Sequence, residues 1–433
     1  MRGLSTALVV GVIVALIVGF AAGYVLKPSG TASTVTSTVT RTVTAPSAGT
    51  GLPSVIEVGA LLPLTGRLAT VGEDIRGALE VAQDDINAFL KQAGLPVTFK
   101  ITFEDTQTSP DVALQKLQAM HSRGVQLFIG PASSAEVRNV KTYADSNKLV
   151  IVSPSSTAPE LAIPGDMVFR FVTDDRAQGR VIAGLAKQLG LTHIVIVWAG
   201  DAWGDGLHDA VTNSAKAFGI NVVDGPRYAP ETKDFSSEVQ QLNNIVTNLI
   251  NQAGASKVGV VLISFEEGTQ FLIQASRYEN LGTVVWLGTD GIANAASVVQ
   301  DPVASSFASK VKLFSPIMAP TESTKFKEVK SKVVAKLGRE PIPYAYNAYD
   351  IAWTLFLSVL ATGKTDGASV AKILPSVADS FFGASGWTKL NEAGDRAFAD
   401  YVVYKVVTEG GTAKWVAAGI YSMATDSFTG SLS

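Results

Sequence analysis

Apolar and polar positions change their period several times along this chain, and each change marks a different kind of segment. From Gly3 to Leu26 no residue is charged, and Leu, Val, Ile, Ala and Gly fill most positions. That run exceeds the roughly 20 residues that cross a bilayer core as a helix. From Lys27 to Pro53 the apolar pattern stops: 12 of those 27 residues are Ser or Thr, with Pro28, Pro46 and Pro53 among them. A stretch such as Thr34–Thr44 has no core to bury and is expected to stay extended and solvated, in the manner of a glycosylated stalk. Fully extended, the segment reaches ~90 Å at ~3.3 Å per residue.

Beyond the stalk, short apolar runs alternate with 3–4-spaced apolar positions. Val55 to Leu62 predicts a strand ended by Pro63 and Gly66. Ile75, Leu79, Ala82, Ile86 and Leu90 then mark one buried helical face. Val97 to Phe103 alternates as a second strand. Ser109-Pro110 opens a helix, a cap followed by proline at the first helical position. Val125 to Ile129 and Leu149 to Val152 predict strands buried on both faces, separated by a helix over residues 135–147. The rhythm restarts with helices over 176–189 and 206–218 around a strand at Ile194–Trp198. It continues with a helix over 235–253, a strand at Val258–Ile263, a helix over 267–278 and a strand at Val284–Leu287. Helices near 325–337 and 345–360 precede two β-rich stretches, Tyr401–Val407 and Trp415–Tyr421. Two successive βαβ blocks predict an α/β protein with two doubly wound parallel-sheet lobes. Hinge crossings are expected near Phe171–Thr173 and Leu313–Pro316. The boundaries drawn are 1–26 for the membrane segment and 27–53 for the linker. Lobe one takes 54–172 and 315–385, and lobe two takes 173–314 and 386–433.

In open parallel sheets, ligands sit beyond the carboxyl ends of the strands. Here those ends in lobe one carry Gly130-Pro131-Ala132-Ser133-Ser134 and Ser153-Pro154-Ser155-Ser156-Thr157. Hydroxyls at a helix amino terminus suit an anion; they also serve ordinary capping. Lobe two offers Gly200-Asp201-Ala202-Trp203, Ser264-Phe265-Glu266 and Gly288-Thr289-Asp290-Gly291. Asp290 beside Gly291 suits a turn as well as a charged site. Trp203 in a Gly/Asp loop calls for a surface to cover. The acidic pairs Asp84/Asp85 and Asp174/Asp175 begin or lie on helices and are expected to be solvated.

Charge and composition narrow the chemistry. Setting aside Arg2, Lys27 and Arg41 leaves 32 basic residues against 38 acidic ones, a net −6, a poor balance for nucleic acid. The chain has no cysteine and only three histidines, His121, His193 and His208. Thiol catalysis, thiolate metal sites and a lipid-bearing cysteine are thereby excluded, and no two histidines stand at metal-ligand spacing. No G-x-S-x-G, P-loop or H-E-x-x-H motif is present. A binding protein without cofactor is expected rather than an enzyme. The first segment is either a cleaved signal peptide or a retained anchor; its length favours the anchor, placing the domain outside the cell.

Nine stretches in order, LLPLTGRLATVGEDIRGALEVAQDDIN, EDTQTSPDVALQKL, FIGPASSAEV, IVSPSSTAPEL, VFRFVTDDRAQG, DAWGDGL, DFSSEVQQL, WLGTDG and FFGASGWTKLNEAGD, resemble the type I periplasmic binding proteins. The similarity is to the Leu/Ile/Val-binding branch that serves ABC transporters. The anchor and stalk without a lipid-attachment cysteine resemble archaeal surface-bound members. The resemblance implies that Ser134 binds a ligand carboxylate, and that Thr157 contacts both ends of an amino-acid zwitterion. It implies that the Ser155 carbonyl receives the ammonium and Asp290 pairs with it. Trp203 and Phe265 would then wall the cleft from lobe two. Val71 stands where branched-chain binders often carry an aromatic, so leucine need not be favoured. Ala93-Gly94 replaces a Gly-Gly and alters only a loop. The implied function is amino-acid capture by lobe closure for an ABC permease, as a monomer. The alternatives are a urea or short-amide binder, a ligand-sensing receptor of the same fold, or an adhesion domain.

Overall fold

The computed structural model describes residues 52–432. The membrane segment and most of the stalk lie outside the described residues. Among the described residues, no helix is long and apolar enough to cross a membrane.

Lobe one is built on a five-stranded parallel sheet in the order β2-β1-β3-β4-β5. Its strands are β1 (Val55–Leu62), β2 (Thr98–Asp105), β3 (Leu127–Ile129), β4 (Val150–Ser153) and β5 (Val168–Arg170). Helices α1 (Ala69–Gln92), α2 (Pro110–Ser122) and α3 (Ser134–Asn147) connect them. The predicted apolar face of α1, Ile75 through Leu90, is buried in the main lobe-one core. Leu117, Met120, Val137 and Val140 fill the opposite face of the sheet. Ser109 caps α2 as expected, accepting from Val112 N–H. Ser133 and Glu136 form a reciprocal capping box on α3.

Lobe two holds an eight-stranded sheet, β13-β12-β11-β10-β9-β8-β6-β7. It includes β6 (His193–Ala199), β7 (Asn221–Tyr228), β8 (Val258–Ile263), β9 (Val285–Leu287) and β10 (Phe314–Met318), with α4 (Asp175–Gln188), α5 (Ala202–Ala217), α6 (Ser236–Ala253), α7 (Gly268–Ala275), α8 (Ala296–Gln300) and α9 (Pro302–Lys310). This sheet is not parallel throughout. Strands β11 (Tyr401–Glu409), β12 (Thr412–Ser422) and β13 (Ser427–Gly430) extend it antiparallel from β10. Gly410 and Gly411, both at positive φ, form the two-residue link that turns β11 into β12, a hairpin that needs such residues. Strand β7 escaped the sequence pattern because Asp224-Gly225-Pro226 looks like a turn. Proline is tolerated there because β7 is an edge strand.

Helices α10 (Thr324–Leu337), α11 (Tyr344–Thr362) and α12 (Gly367–Asp379) return to lobe one and pack in its core. Strand β10 keeps the chain in the second sheet through Met318, so the Leu313–Pro316 stretch expected to cross is a sheet strand. The crossings lie together near Phe171–Thr173, at residues 319–321 and at residues 396–400. Ala319 N–H donates to the Asp400 carbonyl, and Arg396 N–H to the Val172 carbonyl. Beside them a buried bidentate pair joins Arg170 to Asp395 at 2.5 and 2.6 Å.

Candidate functional site

The carboxyl edges of the two sheets face each other across a cleft. Between them lies a narrow cavity with about 30 Å³ of room inside, lined by Leu68, Val71, Ala132, Ser133, Ser134, Ser155, Trp203, Phe265, Asp290, Gly291 and Tyr344. Six of the seven residues implied by the family resemblance, Val71, Ser134, Ser155, Trp203, Phe265 and Asp290, share this wall. Thr157 does not line it. It is buried one residue beyond Ser156, with its backbone N–H given to Ser134 Oγ at 3.2 Å.

The hydroxyl loops of lobe one are laced to each other. Ser153 Oγ donates to the Pro131 carbonyl at 2.6 Å and Ser155 Oγ to the Ala132 carbonyl at 2.9 Å. Ser134 Oγ accepts from Thr157 N–H and Ala158 N–H, and lies 3.0 Å from Ser156 Oγ. With both lone pairs engaged, the Ser134 hydroxyl directs its hydrogen to Ser156 Oγ. The linked hydroxyls stand at the amino-terminal end of α3, where the helix dipole favours negative charge.

Lobe two supplies aromatic surface and carboxylates. Trp203 and Phe265 stack at 4.3 Å between ring centroids with an interplanar angle of 15°. Gly291 permits that stack, because a Cβ there would lie 2.7 Å from Trp203 and 2.8 Å from Phe265. Trp203 is not a loop residue: helix α5 begins at Ala202, with Asp201 as its cap accepting from Trp203 N–H and Gly204 N–H. The glycines at 204 and 206 concealed that helix start, although an Asp before it was the available signal.

Asp290 Oδ2 accepts from Tyr344 at 2.7 Å, and Asp290 N–H donates to Gln178 Oε1 at 3.0 Å. Gln178 Nε2 in turn donates to Asp175 Oδ1 at 3.1 Å. One amide thus links the Asp290 backbone to the Asp175 carboxylate. Asp175 is wholly buried, which corrects the expectation that it is solvated. Burial first, and the nearby Asp290 charge second, push the Asp175 carboxyl well above its usual range. Burial likewise raises Asp290, against the opposing bonds from Tyr344 and Gln178. Asp290 Oδ1, Asp175 Oδ2 and Thr157 Oγ1 are buried without a hydrogen-bond partner among the described residues. Sequence reasoning missed both Tyr344, one of two tyrosines in a helix-opening Pro-Tyr-Ala-Tyr run, and Asp175, hidden in an acidic dipeptide.

The receptor family ligand-binding region matches residues 74–409. An uncharacterized protein of Methanocaldococcus jannaschii is 36% identical over 390 residues, covering 86% of this chain and 91% of that one. A Leu/Ile/Val-binding protein of Rhizobium johnstonii is 24% identical over 359 residues, covering 81% and 91%. Among solved structures, a leucine-binding protein from Thermotoga maritima superposes with a TM-score of 0.71 at 20% identity, covering 86% of this chain and 99% of its own. A solute-binding protein of an ABC transporter from R. palustris, in complex with benzoate, superposes with a TM-score of 0.69 at 18% identity, covering 84% and 96%. These likenesses identify the fold as that of type I periplasmic binding proteins.

Proposed function

Since the chain belongs to the receptor family ligand-binding region, a family of solute-binding and receptor domains rather than enzymes, we propose that it is the extracytoplasmic solute-binding component of an ABC importer. Its ligand is an amino acid with an apolar side chain, held by closure of two lobes. The apolar segment before Leu26 anchors it to the membrane, the Ser/Thr stalk spaces it from the surface, and a permease is its partner. It acts as a monomer without cofactor.

One observation carries the amino-acid assignment: a single cavity sets a buried carboxylate, Asp290, against the Ser134 hydroxyl at a helix amino terminus. That polarity matches a zwitterion. Ser134 and the α3 terminus receive the ligand carboxylate. Asp290, with Asp175 behind it and the Ser155 carbonyl and Thr157 nearby, receives the ammonium. An ammonium taken out of water needs an opposite charge, or desolvation defeats binding. Val71, Leu68, Trp203 and Phe265 remain for the side chain.

Urea or a short amide is the second reading. It is favoured by the upward shifts of Asp175 and Asp290, since a neutral carboxyl suits a neutral ligand. Titration calorimetry of the domain from Ser54 onward with L-leucine, other apolar amino acids, urea and acetamide separates the two. Asp290→Ala is expected to cost ~2–5 kcal/mol for amino acids, about 30-fold or more in affinity. Binding of L-leucine or any other amino acid within threefold of the parent would reject the zwitterion assignment.

A further inference from the structure

We propose that Arg67 is a positioning residue that latches the two lobes together and locks the aromatic wall of the site, without touching the ligand. This rests on the closure described above but not on which ligand closes it. Arg67 lies in lobe one, between β1 and α1. Its guanidinium reaches across the cleft to two lobe-two carboxylates, Asp201 Oδ2 at 3.3 Å and Glu267 Oε1 at 3.4 Å. All three side chains are largely withdrawn from solvent, at 17%, 9% and 9% exposure. Backbone bonds reinforce the bridge: Thr70 N–H donates to Glu266 Oε1 at 3.0 Å, and Glu266 N–H to the Arg67 carbonyl at 3.4 Å.

The partners are the residues that set the wall. Asp201 caps the helix bearing Trp203. Glu267 accepts from Phe265 N–H at 3.1 Å and from Tyr228 at 3.0 Å. The guanidinium carbon itself lies 5.1 Å from the Phe265 ring centroid. Arg67, Phe265 and Trp203 therefore form three successive layers, with the outermost supplied by the opposite lobe.

The same arrangement permits opening. A buried carboxylate that loses its only cation is strongly destabilised. Asp201 and Glu267 each keep two further donors from their own lobe when Arg67 withdraws. The closed state thus gains charge-assisted bonds while the open state orphans neither acid, which is what a two-state element requires. Such a latch raises the fraction of closed form present before any ligand arrives, and apparent affinity scales with that fraction.

The absence of cysteine permits a direct test. Spin labels at Gln115→Cys on α2 and Lys233→Cys after β7, both exposed, report the lobe separation by pulsed electron resonance in unliganded protein. The parent is expected to show a short-distance population that Arg67→Gln loses and Arg67→Lys partly keeps. For L-leucine, Arg67→Gln is expected to raise Kd about tenfold, mostly through faster dissociation, with the unliganded melting temperature little changed. Identical distance distributions in parent and Arg67→Gln would overturn the latch. Absence of binding by L-leucine and by every other apolar amino acid, with the distance shift intact, would overturn the ligand assignment instead.

Discussion

The phenolic hydroxyl of Tyr344, at the start of a lobe-one helix, donates to Asp290 Oδ2 on the opposite lobe at 2.7 Å. Both residues are buried, and Tyr344 packs with Val172, Ile317 and Val402 beside the crossings. The bond fixes the rotation of the Asp290 carboxylate and leaves Oδ1 free of any partner among the described residues. It also ties the proposed ammonium seat to the hinge.

Tyr344→Phe removes that bond while keeping the ring. Asp290 then turns more freely and loses a donor to its charged form. Hydrogen bonds to charged groups contribute about 1.5–3 kcal/mol, so amino-acid affinity is expected to fall about 10- to 100-fold. Calorimetry should show the loss for every amino acid in similar proportion, because the ammonium is common to all. A loss confined to one side chain would place Tyr344 in selectivity instead.

Binding should release protons. Asp175 and Asp290 both hold a proton more tightly than ordinary carboxyls, through burial and, for Asp175, the neighbouring charge. An arriving ammonium favours their ionised forms, so its binding expels the proton that the pair retains. The sign follows: affinity rises with pH over the range in which the unliganded pair is still protonated, and levels off once it is ionised. Calorimetry at mildly acidic pH in buffers of different ionisation heat measures the release directly. Asp175→Asn should reduce it. Proton uptake on binding would contradict this assignment of the acids.

Val71 and Trp203 should set side-chain preference, whereas Ser134 holds a group common to every amino acid. Val71→Trp fills cavity volume and is expected to shift preference toward smaller side chains, seen as a reversed affinity order between L-leucine and L-alanine. Uniform weakening of both would show that Val71 does not face the ligand side chain.

Arg170 links the crossings to the site. Besides its bidentate bond to Asp395, its Nη1 donates to the carbonyls of Ser156 and Ala158 at 3.2 and 2.8 Å, on either side of Thr157. Arg170→Met leaves the Asp395 carboxylate buried without its cation and should cost about 3–5 kcal/mol of stability in urea denaturation. Adding Asp395→Leu removes the orphaned charge and should restore much of that loss. Ligand affinity should stay reduced, since the two carbonyls are still unheld. Full recovery of affinity in the double variant would deny Arg170 its part in positioning the loop.

The alternation of elements in this chain, and the lobes it implies, follow from period alone, because burial on one face writes a 2- or 3.6-residue repeat into any sequence. The apolar face of α1 was legible for that reason, and the start of α2 from its Ser109-Pro110 cap. So were the loops carrying Ser134, Phe265 and Asp290, since strand order and chain direction decide which ends share an edge. The antiparallel extension was half visible in its two β-rich runs, but their pairing with β10 was not, since pairing partners leave no local signature. Asp175 shows the limit most plainly. In sequence it is one of two adjacent acids at a helix start. Only folding turns it inward, against Thr157 and Asp290, and burial then changes its chemistry. Arg67 belongs to the same class: its partners lie 134 and 200 residues away in sequence. Nothing in a one-dimensional pattern reports which charges two closing surfaces bring together, because that depends on the relative placement of the lobes.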